Sequence, residues 1–314
     1  MKKVLITGGA GFIGSHLAES LIKKGYFVIV VDNLQTGSLD NLKKLNGLKN
    51  FIFIKKDVNK FIDISNVFFD HKINFVFHYA ATVGVERTLD NPLQVFDDIE
   101  GIKNILILSK LSGVERIFYS SSSEVYGEPV DRLQNEDKTP LNARLPYAIV
   151  KNLSEAYIRA YHKKYRLDYT IFRFFNTYGP RQSTDFVLSK FISQTLKNED
   201  IIIYGDGNQT RSFCYVADNI KATTNALKSK EAINKIINIG SDYEITINQL
   251  ADIFLKLANS KNKIKHLSPR QEGDMRCRRP DISRMKKILK VKELISLEKG
   301  IKNTIDWHKK HQKC

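Results

Sequence analysis

The chain has 314 residues, enough for one large or two modest domains around a sizeable core. With 42% hydrophobic and 27% charged residues, 17 Gly and 7 Pro, it is excluded from the disordered, collagen-like and mucin-like classes. The net charge of +16 is carried by scattered lysines such as Lys55-Lys56, Lys163-Lys164 and Lys286-Lys287, without an aromatic-interleaved basic block, so a solvated surface suited to an anionic small molecule is expected and a nucleic-acid partner is not.

In chain order, Lys3 to Ile6 is a β-rich run followed by a Gly-rich turn and then Phe12, Ile13, Leu17, Leu21 and Ile22 at helical spacing: strand, turn, helix. Further apolar runs at Phe27 to Val31, Phe51 to Ile54, Phe75 to Phe77, Ile117 to Tyr119 and Tyr169 to Phe172 read as strands. Helical patterns lie between them, among them Val95 to Leu111 and Tyr147 to Tyr165. Strands alternating with helices predict an α/β fold, a Rossmann-type doubly wound parallel sheet. Past Gly179-Pro180 the rhythm changes to a helix near Phe186 to Lys197, a strand at Ile201 to Tyr204, the turn Gly205-Asp206-Gly207 and a helix at Ile247 to Ala258. A smaller C-terminal α+β substrate lobe is expected there, giving 1–178 as the cofactor-binding domain with the catalytic groups and 179–314 mainly as the substrate lobe.

The first chemical signal is Gly8, Gly11 and Gly14, directly after a strand and opening a helix. Glycines there allow the tight turn and close approach of a pyrophosphate, and the helix N-terminus offers N–H groups and a positive dipole. With Phe12 and Ile13 between them, and Asp32 and Asn33 ending the second strand, the turn reads as a dinucleotide site. An acid at position 32 accepts the ribose hydroxyls and repels a 2′-phosphate, so NAD is favoured over NADP. The second signal is Tyr147 and Lys151, four apart on one helix face. A lysine ammonium stabilises a phenolate, which could take a hydroxyl proton while hydride leaves the same carbon. A strand at Ile117 to Tyr119 also runs into Ser120-Ser121-Ser122-Ser123-Glu124, placing hydroxyls and a carboxylate at the C-terminal end of a strand, where α/β ligands bind.

TGGAGFIG at 7–14, HYAA at 78–81, SSSSEVYG at 120–127, PYAIVK at 146–151, RFFNTYGPRQ at 173–182, YGDGNQTRSFCYVAD at 204–218 and EGDMR at 272–276 together resemble the extended short-chain dehydrogenase/reductase family, specifically its nucleotide-sugar epimerases, dehydratases and decarboxylases. The resemblance spans essentially the whole chain. It implies Ser122, Tyr147 and Lys151 as catalytic hydroxyl, base and supporting lysine, with Asp57 and Val58 along the adenine and Ala80, Ala81 and Thr82 bordering the cofactor. Asn176, Arg211 and Arg276 match positions that hold the substrate's nucleotide diphosphate, and Ser122 and Ser123 would touch the sugar. The implied chemistry is removal of the 4-hydroxyl proton by Tyr147 with hydride transfer from C4 to NAD, leaving a 4-keto sugar.

The members differ in the fate of that ketone. PYAIVK, AYHKKY at 160–165, RFFNTYGPRQ and PRQEGDMR at 269–276 look most like UDP-sugar 4-epimerases, and a UDP-hexose or UDP-N-acetylhexosamine 4-epimerase is the expectation. Glu124 points elsewhere: in 4,6-dehydratases and UDP-glucuronate decarboxylases the matching residue is a Glu that works beside C5. Arg278, in the run Arg278-Arg279-Pro280-Asp281-Ile282, matches a decarboxylase arginine that contacts the substrate carboxylate. Against this, HYAATVGVERT lacks the Ser-Pro pattern of decarboxylases, and position 123 is Ser where many dTDP-glucose 4,6-dehydratases carry Asp. A decarboxylase or dehydratase using Glu124 is the alternative, and a non-catalytic NAD-binding protein, since fold does not fix function, is the remote one. Asp98 stands where the family often has Asn.

Three widely spaced cysteines, Cys214, Cys277 and Cys314, build neither a disulfide framework nor a C-x-x-C pair, and the histidines lack metal-ligand spacing, so no metal is expected. Glycines interrupt any signal-peptide core, and no stretch reaches the roughly 18 apolar residues of a membrane span. A cytoplasmic protein is expected. The family commonly dimerises through two helices per subunit, here Val95 to Leu111 and Tyr147 to Tyr165, so a homodimer is expected.

Overall fold

The computed structural model describes residues 1–128, 130, 133–269 and 277–311, with the side chains of Val85, Glu86 and Leu89 left aside. Strands β1 (Lys3–Thr7), β2 (Phe27–Asp32), β3 (Phe51–Lys55), β4 (Phe75–His78), β5 (Arg116–Ser122) and β6 (Asp168–Phe174) follow one another through the first half of the chain. Short strands β7 (Thr177–Tyr178), β8 (Ile201–Tyr204), β9 (Thr210–Ser212) and β10 (Cys214–Tyr215) come next, then β11 (Lys235–Ile239), β12 (Glu244–Thr246) and β13 (Ile264–Leu267). One seven-stranded sheet has the order β11-β6-β5-β4-β1-β2-β3, with every pairing parallel. The order reverses between β1 and β4. That is the place in a doubly wound sheet where a crevice opens beyond the strand ends.

Both sheet faces are covered, which explains why the strands read as continuous apolar runs. On β1, Val4 and Ile6 enter one core cluster with Phe77 and Phe118, whereas Leu5 points into the other with Val76 and Ile117. Helices α1 (Phe12–Lys23), α2 (Phe61–Asp70), α3 (Val85–Asp90), α4 (Pro92–Phe96), α5 (Asp98–Leu111) and α6 (Pro146–Tyr165) connect the early strands. Beyond them lie α7 (Val187–Leu196), α8 (Val216–Lys228) and α9 (Ile247–Ala258), the last started by a Thr246/Gln249 capping box.

Two features differ from the sequence pattern. The single helix expected over Val95 to Leu111 is two, α4 and α5, broken at Asp97, where the Glu100 N–H bonds the Asp97 carbonyl only three residues back (3.0 Å) and tightens the turn. The stretch after 179 is also not all lobe: β11 returns to pair with β6 as an edge of the main sheet, and α8 packs on α1. The parallel pairs β7/β10 and β8/β13 and the antiparallel pair β9/β12 build three separate small sheets, with α7 against β8 and α9 against β8 and β12.

A buried ion pair ties the centre together. Arg173 on β6 donates through Nε to Glu155 Oε1 (3.0 Å) and through Nη2 to Oε2 (2.8 Å), and Glu155 is on α6. Ser121 at the end of β5 donates to the same Oε1 at 2.6 Å, and Arg173 Nη1 reaches Tyr126 Oη at 2.9 Å. With both side chains at most 2% exposed, removal of one partner leaves an uncompensated buried charge. Glu155→Gln is expected to destabilise the fold by about 3–5 kcal/mol, read by urea denaturation, while a Glu155→Leu/Arg173→Met double variant recovers most of that loss.

Candidate active site

A cavity of about 490 Å³ opens at the C-terminal ends of β1, β4 and β5, within the usual range for small-molecule sites. At one end is the turn between β1 and α1. Gly8 takes φ +69°, and a side chain on Gly14 would meet the Gly8 carbonyl oxygen at 2.3 Å, so strand and helix approach as only glycines permit. The α1 N-cap, Gly11, offers no side-chain cap, leaving the first helical N–H groups directed at the cavity rim for an anion.

Asp32 closes β2 beside this turn. Its Oδ2 accepts from the Ala10 N–H (3.0 Å) and its Oδ1 from the Leu34 N–H (2.8 Å), while burial raises its pKa against those bonds. Asn33 Nδ2 is 3.5 Å from Asp57 Oδ2, Val58 is buried beneath, and Thr7 Oγ1 accepts from the Ala80 N–H at 3.3 Å. Gly8, Gly11, Phe12, Ile13, Gly14, Asp32, Asn33, Asp57, Val58, Ala80, Ala81 and Thr82 all line the one cavity. An uncapped helix start, a glycine cradle and a backbone-held acid fit the diphosphate and ribose of a dinucleotide.

At the other end are the groups with proton chemistry. Lys151 Nζ donates to the Ser120 carbonyl at 2.7 Å and lies 5.7 Å from the Tyr147 ring centre. Burial pushes Lys151 down to about 8, with Asp98 and Glu155 opposing. Burial raises Tyr147, offset by a hydrogen bond with the Ser122 side chain, while Glu124 and Asp98 add to the rise and Arg278 works against it. Ser122 Oγ also accepts from the Glu124 N–H at 3.1 Å, starting the 3-10 turn Ser123–Tyr126. Asp98, Ser120, Ser122, Ser123, Glu124, Tyr147, Lys151 and Arg278 line the same cavity.

Arg278 comes from far along the chain and donates through Nη1 to Glu124 Oε1 at 2.6 Å. Its backbone is fixed by Ser212 Oγ donating to its carbonyl (3.3 Å) and by the Gln134 N–H donating to that of Arg279 (2.9 Å). The second oxygen, Glu124 Oε2, is buried with no hydrogen-bond partner among the described residues. Asn176 lines the cavity too, its amide donating to the Ser212 carbonyl at 3.0 Å. Arg211 is not among the described residues lining this cavity; it lies on β9 opposite Ile245 of β12, and its guanidinium donates to the Thr210 carbonyl at 2.8 Å. Arg276 lies outside the described residues.

Sequence reasoning missed three wall residues. Arg181 (φ +72°) donates to Ser15 Oγ (3.1 Å) and pairs with Glu19, clasping the loop after β7 onto α1. Arg87 and Asp185 join at 3.1 Å across the opposite wall. Arg181 sits in a motif already noted, but its partners on α1 are distant in sequence, and nothing local marks Arg87 with Asp185. Among the described residues there is no cluster of three metal-ligating side chains and no helix long and apolar enough to cross a membrane.

The profile of the NAD dependent epimerase/dehydratase family matches residues 4–240. A putative UDP-glucose 4-epimerase of Methanocaldococcus jannaschii is 37% identical, covering 99% of both chains. The UDP-N-acetyl-alpha-D-glucosaminuronate decarboxylase of Bacillus cytotoxicus is also 37% identical, over 98% of this chain and 97% of that one. The crystal structure of UDP-glucuronic acid 4-epimerase from Bacillus cereus with UDP-glucuronic acid and NAD superimposes with a TM-score of 0.90 at 31% identity, covering 98% of this chain and 99% of that one.

Asp32 gives the first test of the cofactor end. Asp32→Ser is expected to weaken NAD binding by about tenfold, ~1.4 kcal/mol, and to lessen discrimination against NADP, both read by fluorescence titration.

Proposed function

The chain belongs to the NAD dependent epimerase/dehydratase family, and from that premise we propose that it oxidises C4 of a UDP-linked uronic acid and releases the sugar carboxylate as carbon dioxide. The observation that carries this reading is the Glu124–Arg278 pair, set in the cavity wall with Ser122 and Tyr147. A neutral hexose undergoing 4-epimerisation asks for no ion pair beside the sugar. A uronate does ask for a cation, and arginine's planar fork matches a carboxylate; the acid Glu124 beside that arginine is what favours loss of the carboxylate over simple return of hydride.

NAD, held by the Gly8–Gly14 turn, Asp32, Asn33, Asp57, Val58 and Ala80 to Thr82, accepts the C4 hydride and returns it. Tyr147 takes the 4-hydroxyl proton, Ser122 holds that oxygen, and the Lys151 ammonium favours the phenolate. With C4 a ketone, the carboxylate is β to a carbonyl. The C5–C6 bond breaks, its electron pair passes into the C5–C4–O system, and C5 then takes a proton. Arg278 holds the carboxylate before it leaves, Glu124 Oε1 fixes Arg278, and Glu124 Oε2, unpartnered among the described residues, is the acid group available to C5. Asn176 and Ser123 contact the substrate.

The second reading is the 4-epimerase expected from the sequence. It is favoured by the sufficiency of Ser122, Tyr147 and Lys151 for hydride return and by the naming of the jannaschii and cereus relatives. A nucleotide-sugar substrate supports a cytoplasmic place of action. A homodimer is supported by the apolar side chains left exposed on the α4 and α6 faces, Leu93, Phe96, Ile149 and Leu153, since α4 and α6 pack as one surface.

Incubation with UDP-glucuronate, UDP-N-acetylglucosaminuronate and UDP-glucose in deuterated water separates the readings. A UDP-pentose with deuterium at C5, formed from a uronate alone, is expected. An isomer of unchanged mass without deuterium establishes the second reading. By light scattering, Ile149→Asp/Leu153→Asp is expected to run as a monomer where the parent runs as a dimer; an unchanged mass removes that interface.

A further inference from the structure

Lys151 presents an unsolved charge balance. Its side chain is only 3% exposed, and the Ser120 carbonyl it donates to supplies a dipole rather than a charge. An ammonium held away from water needs a counter-ion. The groups facing it come from three elements besides its own. From β4 comes His78, kept neutral because burial pushes it down to about 3. From β5 comes the Tyr119 ring, its centre 4.9 Å from Nζ. α6 itself supplies Tyr147 and Glu155, and α5 supplies Asp98, which lines the same cavity as Lys151 and acts on it through its charge although burial raises the pKa of its own carboxyl.

Of the two acids, Glu155 is already committed, with both oxygens on Arg173 and one also taking the Ser121 hydroxyl. Asp98 is not. Among the described residues it forms no salt bridge, and its carboxylate is fixed instead by Thr82, whose N–H donates to Oδ2 at 2.7 Å and whose hydroxyl lies 3.4 Å from Oδ1. Thr82, Asp98, Tyr147 and Lys151 all face the same cavity. An asparagine could accept the Thr82 N–H equally well; only a carboxylate adds charge.

We propose that Asp98 is a positioning residue for the proton chain: anchored by Thr82, it supplies the counter-charge that keeps Lys151 an ammonium and so sets the pH range over which Tyr147 works. This rests on the C4-oxidation reading for its catalytic consequence, though the charge relation exists without substrate. The sign is definite. A negative charge raises the pKa of both neighbours, opposing the burial of Lys151 and adding to that of Tyr147. Its removal lowers both, moving the acid limb and the alkaline limb of activity in the same direction.

The test is Asp98→Asn, which keeps the Thr82 bond and removes the charge, with Asp98→Glu as the variant that keeps the charge. In protein labelled with 13C at lysine Cε, read by NMR with and without NAD, the Lys151 resonance is assigned by its loss in Lys151→Arg. It is expected to titrate about one unit lower in Asp98→Asn and near its original position in Asp98→Glu. The whole pH profile of kcat/KM moves down with it in Asp98→Asn. A Lys151 titration unchanged in Asp98→Asn, or a pH profile lowered in height without moving, overturns the proposal and leaves Asp98 as a clamp for Thr82. The NMR titration needs no turnover, so it separates failure of this proposal from failure of the C4-oxidation reading.

Discussion

The buried Glu155–Arg173 pair is the constraint on which the working end of the molecule depends. It joins α6 to β6 and, through Ser121, to the last residues of β5. Glu155 stands one helical turn beyond Lys151, which stands one turn beyond Tyr147, and Ser122 is next to Ser121 on its strand. Fixing that single carboxylate therefore sets the registers of Tyr147, Lys151 and Ser122 together. The network continues outward: Tyr126 accepts from Arg173 and donates to Asn238 of β11 at 2.8 Å, and Asn238 donates to the Gln134 carbonyl at 2.9 Å, beside the segment that delivers Arg278. A buried ion pair contributes little net stability compared with an apolar replacement. Here its value lies in geometry, because a bidentate bond admits one arrangement of helix against strand.

Charge around the cavity obeys the same logic at lower burial. Arg278 meets Glu124, Arg181 meets Glu19 and Arg87 meets Asp185, each bridging segments far apart in the chain. The large positive excess lies elsewhere, on exposed lysines. Around the cavity these three pairs place charge locally, each cation beside one acid, whatever the net charge of the chain. On the proposed reading Glu124 with Arg278 meets the sugar carboxylate, whereas Asp98 acts through Lys151 on the proton.

The sheet strands were legible because β1, β2 and β4 to β6 are buried on both faces and read as unbroken apolar runs, and α1 and α6 because of their 3.6-residue spacing. The dinucleotide turn was legible because its glycines answer a local steric demand. The α4–α5 break was not, since it depends on one tightened turn at Asp97 that leaves the apolar pattern intact. The return of β11 to the main sheet is a long-range pairing with no local signature. Of the cavity wall, the residues local to strand ends carry a sequence signal, while Arg181, Arg87 and Asp185 owe their places to partners distant in sequence.

The central claim is that the Glu124–Arg278 wall selects a carboxylate on the sugar. Calorimetric titration of the NAD-loaded, turnover-silent Tyr147→Phe protein with UDP-glucuronate and with UDP-glucose tests it most directly. The account predicts that the uronate binds at least about tenfold more tightly, ~1.4 kcal/mol, and that Arg278→Gln removes the difference. Equal affinity for the two sugars, or a preference that survives Arg278→Gln, would contradict it.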